Sequence, residues 1–463
     1  MSTTRLKRAC RQVEAELRSF LNELNQLQVL DYPSGTCESA IRDLRHKIQE
    51  LLDRVTDFSS DPAASVEEKL DLLTVARSRM LDDLSPFLDW LRGAQTRRVP
   101  WSFIPAIERL GHRIAPGRKL LTYCANNYNY GIVWSQSGTR APYTYCVVAL
   151  PRLHRTNVLL HSLIGHELFH LRCDEFIRMH AAESLRSISQ ECWDLFSREQ
   201  ETGPVDGAQR QRVDQASERI HTAWARGLQE LLCDMANTVL FGPASFFAMM
   251  AFSAFSQSDV IPSPKNNFYP PWGYRFGVVW NYAVSKEHLK KLALQISQCS
   301  SEIGECFEAE VDAFAESAQA LTAEEVVNKH PFAKIAYAQI RRLLPQAQQF
   351  VNDSLPSGVG LWTEERVLHQ VPVLLRRICH GVPPNEVLKI TVNPKDQTHT
   401  RCSEPAELAA ILNAGWAYET YWQKSVSTNG IDYDTISRLL LKACEDAERM
   451  SFPDQAVSET STC

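Results

Sequence analysis

From Thr3 to about Leu91 the apolar residues recur at the spacing of one helix face: Val13, Leu17, Leu24 and Leu27, then Leu44, Ile48, Leu51 and Val55. Residues three and four apart share a face, so a chain with this pattern must cover one stripe of each helix with another helix. The runs DYPSGT and SSDPAAS interrupt the pattern with Pro, Gly and Ser, and Asp61 before Pro62 offers a start for a third helix. A helical bundle is expected over residues 1–95. It contains one histidine, His46, and its expected role is scaffolding, self-association or contact with a regulatory partner.

After VPWSFIPAIERLGHRIAPG the pattern changes to the aromatic and β-branched runs KLLTYC, YNYGIVWS and YTYCVVAL, with Asn and Gly between them for turns. These predict a small sheet, which Pro151 closes. An edge strand can hold an extended peptide through its main chain, and YTYCVVAL is the candidate edge. From about Thr156 onward helices joined by loops are expected. The least regular loops are IPSPKNNFYPPWGY and LKITVNPKDQTHTRCSEP, and the last dozen residues, ending in SETSTC, read as a polar tail. The predicted fold class is mainly α with a small β-sheet (α+β).

Composition narrows the function. A net charge of -6 over 463 residues, with Lys and Arg scattered, lacks the basic stripe that neutralises phosphates, so no nucleic-acid partner is expected. The most apolar run, FFAMMAFSAF, is too short to cross a bilayer, and the charged N-terminus lacks the apolar stretch of a secretory signal. A cytoplasmic protein without membrane association is expected. The 13 cysteines form no CxxC pair, which points to reduced thiols and directs any search for metal ligands to His and carboxylates.

The stretch NVLLHSLIGHELFHLRCDEF carries His166, Glu167 and His170 on a helical pattern. Residues four apart lie one turn apart on one face, so both imidazoles can reach a single ion. Glu167, about a quarter-turn away from His166, can address an activated water without taking a coordination position. Leu163, Ile164, Leu168, Phe169 and Leu171 surround the triplet with apolar groups, where unpaired polar side chains are costly. The bland alternative is a helix whose histidines are satisfied by ordinary hydrogen bonds.

A catalytic zinc takes three protein ligands and leaves one position open. Glu230, in AWARGLQELLCDMANTVLFGP, is the best third candidate. Asp234 lies one turn further on the same face, where it can accept the free N–H of a ligating imidazole and fix its tautomer. Asp174 is one turn beyond the histidines and is a lesser candidate, His180 reads as a surface or capping residue, and His161 as structural. A third histidine six residues after the second, the metzincin arrangement, is excluded by Phe176. The loop FYPPWGYRF offers Tyr269, Tyr274 and Arg275 as candidate oxyanion donors, or as plain packing residues. His330, His369, His380 and His399 have no partners at ligand spacing.

HELFH followed by ELLCD resembles the gluzincin metallopeptidases of the thermolysin and neprilysin type, which combine HExxH with ExxxD. The resemblance covers these two helices and implies one Zn²⁺ per chain held by His166, His170 and Glu230. It further implies Glu167 as general base and Asp234 as the partner of a ligand. The interval of about sixty residues (170 to 230) exceeds the thermolysin-type spacing, and an inserted helical pair including AAESLRSISQECWDLFSREQ would account for it. ELLCDMANTVLFGPASFF also resembles the glutamate helix of ImmA/IrrE-like proteins, which implies a narrow, regulated substrate range.

The resemblance divides the chain into the bundle at 1–95, a zincin-like core at 96–285 and a helical region at 286–463. The expected function is zinc-dependent hydrolysis of a peptide or protein substrate. The alternative is a zinc-binding sensor or interaction protein that cleaves nothing.

Overall fold

A computed structural model describes residues 3–126, 129–134, 145–198, 207–254, 269–319, 330–356, 358–392, 399–424 and 431–460. It is mainly helical, with one three-stranded and one two-stranded sheet. No described helix is long and apolar enough to cross a membrane. The chain divides into two compact units, Met1–Glu108 with Gly117–Arg155, and Arg109–Pro116 with Thr156–Cys463.

In the first unit, helices α1 (Thr3–Gln28), α2 (Gly35–Ser60) and α3 (Val66–Ser78) follow the sequence periodicity, and a π-helical turn (Arg79–Leu84) leads into α4 (Ser85–Gly93). Leu17, Leu24, Leu44, Ile48 and Leu91, all at most 1% exposed, lie in one core with Leu73, Phe87 and Leu121. The break between α2 and α3 differs from expectation. Asp61 caps the end of α2, whereas Ser65 starts α3 through a capping box with Glu68, each side chain bonding the other's backbone N–H. A Ser three residues before a Glu satisfies two orphan helix donors, which Asp61 before Pro62 cannot do.

Strands β1 (Lys119–Ala125), β2 (Gly131–Trp134) and β3 (Tyr145–Pro151) form the small sheet in the order β1-β3-β2. β3 pairs parallel with β1 and antiparallel with β2, and all seven of its residues are buried. YTYCVVAL therefore forms the central strand, and its backbone is already committed to two neighbours, so it is not the peptide-binding edge expected; Tyr143 and Thr144 lie outside the described residues. The continuous apolar run suits a strand covered on both faces. The sheet belongs to the same compact unit as the N-terminal helices, whereas the sequence segmentation had grouped it with the two motif helices.

In the second unit a 3₁₀ turn (Leu160–Leu163) leads directly into α6 (Ile164–Arg198), which with α7 (Gly207–Phe241) forms the long helical pair carrying both motifs; α5 (Ile104–Ile114), which precedes the sheet in the chain, is divided between the two units after Glu108. No inserted helical pair separates the motifs among the described residues. AAESLRSISQECWDLFSR continues α6, so the long interval comes from the length of the two motif helices themselves. Further helices follow: α8 (Pro243–Ser253), α9 (Trp272–Val278), α10 (Lys286–Cys299), α11 (Ser301–Gln319), then Pro331–Ser354, Glu365–Cys379, Leu408–Lys424 and Tyr433–Thr460. The last runs through much of the expected polar tail, and residues 461–463 lie outside the description.

The described part of LKITVNPKDQTHTRCSEP is not an irregular loop, residues 393–398 lying outside the described residues. It forms the antiparallel strands β4 (Glu386–Val392) and β5 (His399–Pro405), with Lys389 bonded to Glu404 at 2.6 Å. Gly242, at φ +57°, turns the chain between α7 and α8 against the indole of Trp362, where a side chain would collide.

Gly165 sets how closely α6 approaches α7. A Cβ there would stand 2.5 Å from Asn237 Oδ1 and 3.0 Å from Leu240 Cδ1. Gly165→Ala should therefore destabilise the protein by about 1–3 kcal/mol through overpacking. Gly35→Ala, with no atom within 4 Å of the added methyl, should be neutral or stabilising by up to about 1 kcal/mol. Urea unfolding midpoints measure both; equal midpoints for the two variants would refute close contact at Gly165.

Candidate metal centre

The HELFH run occupies the beginning of α6, where Ile164 follows the 3₁₀ turn and Glu167 falls in the first helical turn. The four-residue spacing places His166 and His170 on one face, with ring centroids 5.0 Å apart at 82°. They are 8% and 9% exposed. The opposite wall comes from α7, whose residues Glu230, Cys233 and Asp234 recur at helical spacing and turn toward α6.

His166 is fastened at three atoms. Its backbone N–H donates to Asn237 Oδ1 at 3.1 Å, its ring Nδ1 lies 2.8 Å from Asp234 Oδ1, and its Nε2 lies 3.5 Å from Glu230 Oε2. An ionised carboxylate only accepts, so the Asp234 bond assigns a proton to Nδ1, while Nε2 faces Glu230 across the helices. Asn237 is in turn held by its Nδ2, which donates to Ser245 Oγ at 2.8 Å.

Asp234 is 1% exposed and is matched by a cation. Arg275, on α9, donates through Nε to Asp234 Oδ2 at 2.7 Å and through Nη2 to Oδ1 at 2.8 Å, and its Nη2 lies 3.3 Å from Glu230 Oε2. The guanidinium also lies 4.1 Å from the centroid of the Trp272 ring, a cation–π contact. Arg275 is therefore engaged by two carboxylates and a ring, which accounts for its position without an oxyanion role. Tyr274 is buried with its ring 5.1 Å from that of Tyr337, and Tyr269 is half-buried.

These surroundings shift the titrating groups in opposite directions. Burial pulls the His166 imidazole down, but its bonds to Asp234 and Glu230 prevail and raise it to about 10. His170 is lowered to about 4, chiefly by burial and then by the charge of His166. Burial raises Glu167 to about 7. Burial also opposes the charged forms of Glu230 and Asp234, yet the pairings with His166 and Arg275 hold both carboxyls below the ordinary range.

Among the described residues, one group of side chains brings metal-binding atoms together: His166, His170 and Cys233, whose donor atoms all lie within 4.8 Å of one another. Two imidazoles and a thiol are a donor set that suits zinc. Of the five residues expected here, His166 and His170 are in the cluster, Glu230 and Asp234 contact the His166 ring, and Glu167 follows His166 on α6. It departs from expectation in that Glu230 is tied to His166 and Arg275 and is not in the cluster of donor atoms, while Cys233 is. Asp174 and His180 lie further along α6 outside that cluster; the His180 ring packs on Phe176 at 4.6 Å. His161 is fully buried in the 3₁₀ turn. His46 and His369 pair with Glu50 and Glu365 on their own helices.

The available signal for Cys233 was its place in the ELLCD run, three residues after Glu230 and one before Asp234. Looking only for paired cysteines passes over it. Comparison with protein-family models, with curated proteins and with solved structures found no match.

The Asp234–Arg275 pair has a measurable cost of disruption. Arg275→Met should destabilise the metal-free protein by about 3–5 kcal/mol, because it leaves a buried carboxylate short of its cation. Adding Asp234→Asn removes that charge and should recover part of the loss. Urea unfolding of the two single variants and the double variant gives the coupling; strictly additive losses would show that the pair is not a unit.

Proposed function

We propose that this chain is a zinc-dependent peptidase, with His166 and His170 holding the ion, Glu167 as general base, and Glu230 and Asp234 completing the polar surroundings. The observation that carries this reading is the fastening of His166. Its Nδ1 is bound to a buried carboxylate, its amide to Asn237, and its remaining nitrogen lies 3.5 Å from Glu230 Oε2, with the His170 ring 5.0 Å away. An imidazole fixed in tautomer and orientation by a carboxylate is the arrangement that metal-binding histidines use.

Zinc, when bound, supplies Lewis acidity that makes a water a better nucleophile and a carbonyl a better electrophile. The chain's own residues do the proton work. Glu167 is partly buried beside the imidazoles, and a base raised to about 7 can both accept a proton near neutral pH and release it. It takes the proton of the attacking water and returns it to the departing amine nitrogen. Asp234 and Arg275 hold His166 in register and take no part in the bond changes.

The second reading is a zinc-holding sensor or interaction protein that cleaves nothing. Cys233 favours it, because thiolates are the common donors of structural zinc sites and its sulfur lies beside the two imidazoles.

Elemental analysis and cleavage of a mixed peptide pool, followed by mass spectrometry, test the proposal. Wild type should carry about one zinc per chain and cleave peptides. Glu167→Gln should keep the zinc and lose at least about 10²-fold in rate, whereas His170→Ala should lose the zinc. Zinc without cleavage would favour the second reading. A wild type that takes up no zinc when it is supplied would end both.

A further inference from the structure

The Cys233 sulfur is a metal-binding atom beside the two imidazoles to which the HELFH and ELLCD motifs give no role. We propose that Cys233, in place of Glu230, is the third protein donor of the metal centre, so that the ion is held by two imidazoles and one thiolate with its fourth position open. The proposal rests on the metal-centre reading above and specifies its ligand set.

Three observations carry it. The Sγ of Cys233 and one nitrogen each of His166 and His170 form the cluster of donor atoms within 4.8 Å, and Glu230 is outside that cluster. Glu230 has another occupation, since its Oε2 is 3.3 Å from Arg275 Nη2. That oxygen is shared between the Arg275 guanidinium and the His166 ring, 3.5 Å from Nε2, so ligation through it would set the metal in competition with a permanent cation. Finally, Cys233 is fully buried on the α7 face that turns toward α6, so its sulfur reaches the imidazoles from its own helix position.

The neighbouring Cys173 is a contrasting thiol. Its Sγ lies 3.4 Å from that of Cys233 but bonds the Phe169 carbonyl oxygen at 3.3 Å, a partner within its own helix turn. On ligation Cys233 gives up its thiol proton to solvent, so one proton leaves as the S–metal bond forms. A thiolate among the donors selects zinc or cobalt and disfavours magnesium, calcium and manganese, which prefer oxygen.

The test uses the full chain, stripped with a chelator and titrated with cobalt(II). Wild type should bind one cobalt per chain with a near-ultraviolet thiolate-to-cobalt charge-transfer band. The band should vanish in Cys233→Ser and persist in Cys173→Ser and Glu230→Gln, and zinc affinity should fall at least about tenfold further in Cys233→Ser than in Glu230→Gln. The wild-type spectrum needs no variant to fold. One cobalt bound without the band, or a band that survives Cys233→Ser, overturns the Cys233 assignment and leaves the metal centre standing. No cobalt bound at all overturns both.

Discussion

The carboxylate of Asp234 is the constraint around which the second unit is arranged. A negative charge with 1% exposure is tolerated only where its oxygens are occupied, and here both are: Arg275 bridges them and His166 shares one. With Asp234 itself on α7, those partners come from α6 and α9, so three helices meet here. Satisfying one buried charge therefore fixes how three elements meet, and it does so where the imidazoles are displayed. Apolar packing supplies the bulk of the stability, through groups such as Trp224, Phe246 and Phe307, but it is indifferent to small slides of one helix along another. The ion pair is not, because a bidentate contact tolerates little displacement.

Much of this was legible in the sequence, and what was legible was local. The four-residue spacing of His166 and His170, and of Glu230 and Asp234, is a statement about helix faces. Those faces formed as read, as did α1 and α2 from their apolar stripes. Relations between distant segments were not legible. Nothing in YTYCVVAL says whether it lies at the middle or the edge of a sheet, because strand order is decided by which neighbours arrive. The role of Arg275 depends on Asp234, 41 residues away, and a sequence shows a cation without showing its anion.

One misreading and one omission have specific causes. The β4–β5 hairpin carries charged residues such as Lys389 and Glu404 that pair across the strands, so its strand signal was diluted by polarity and by the intervening PKD. Cys233 was passed over because the absence of CxxC pairs removed all thiols from consideration at once. A single cysteine becomes informative only when a second helix sets imidazoles beside it, and that depends on the pairing of α6 with α7, which Gly165 permits.

The bond from the His166 amide to Asn237, itself held by Ser245, has a consequence for kinetics. The histidines stand near the start of a helix, where backbone N–H groups lack partners of their own and ends tend to fray. Anchoring the amide from a neighbouring helix removes that looseness before any ligand arrives. On the proposed function, an ion entering this space would meet a socket whose main chain is already set, so capture would require side-chain adjustment and desolvation and little ordering of the backbone. The entropy of shaping the socket would then have been absorbed into folding, and binding speed would be left to the ion's own reluctance to shed water.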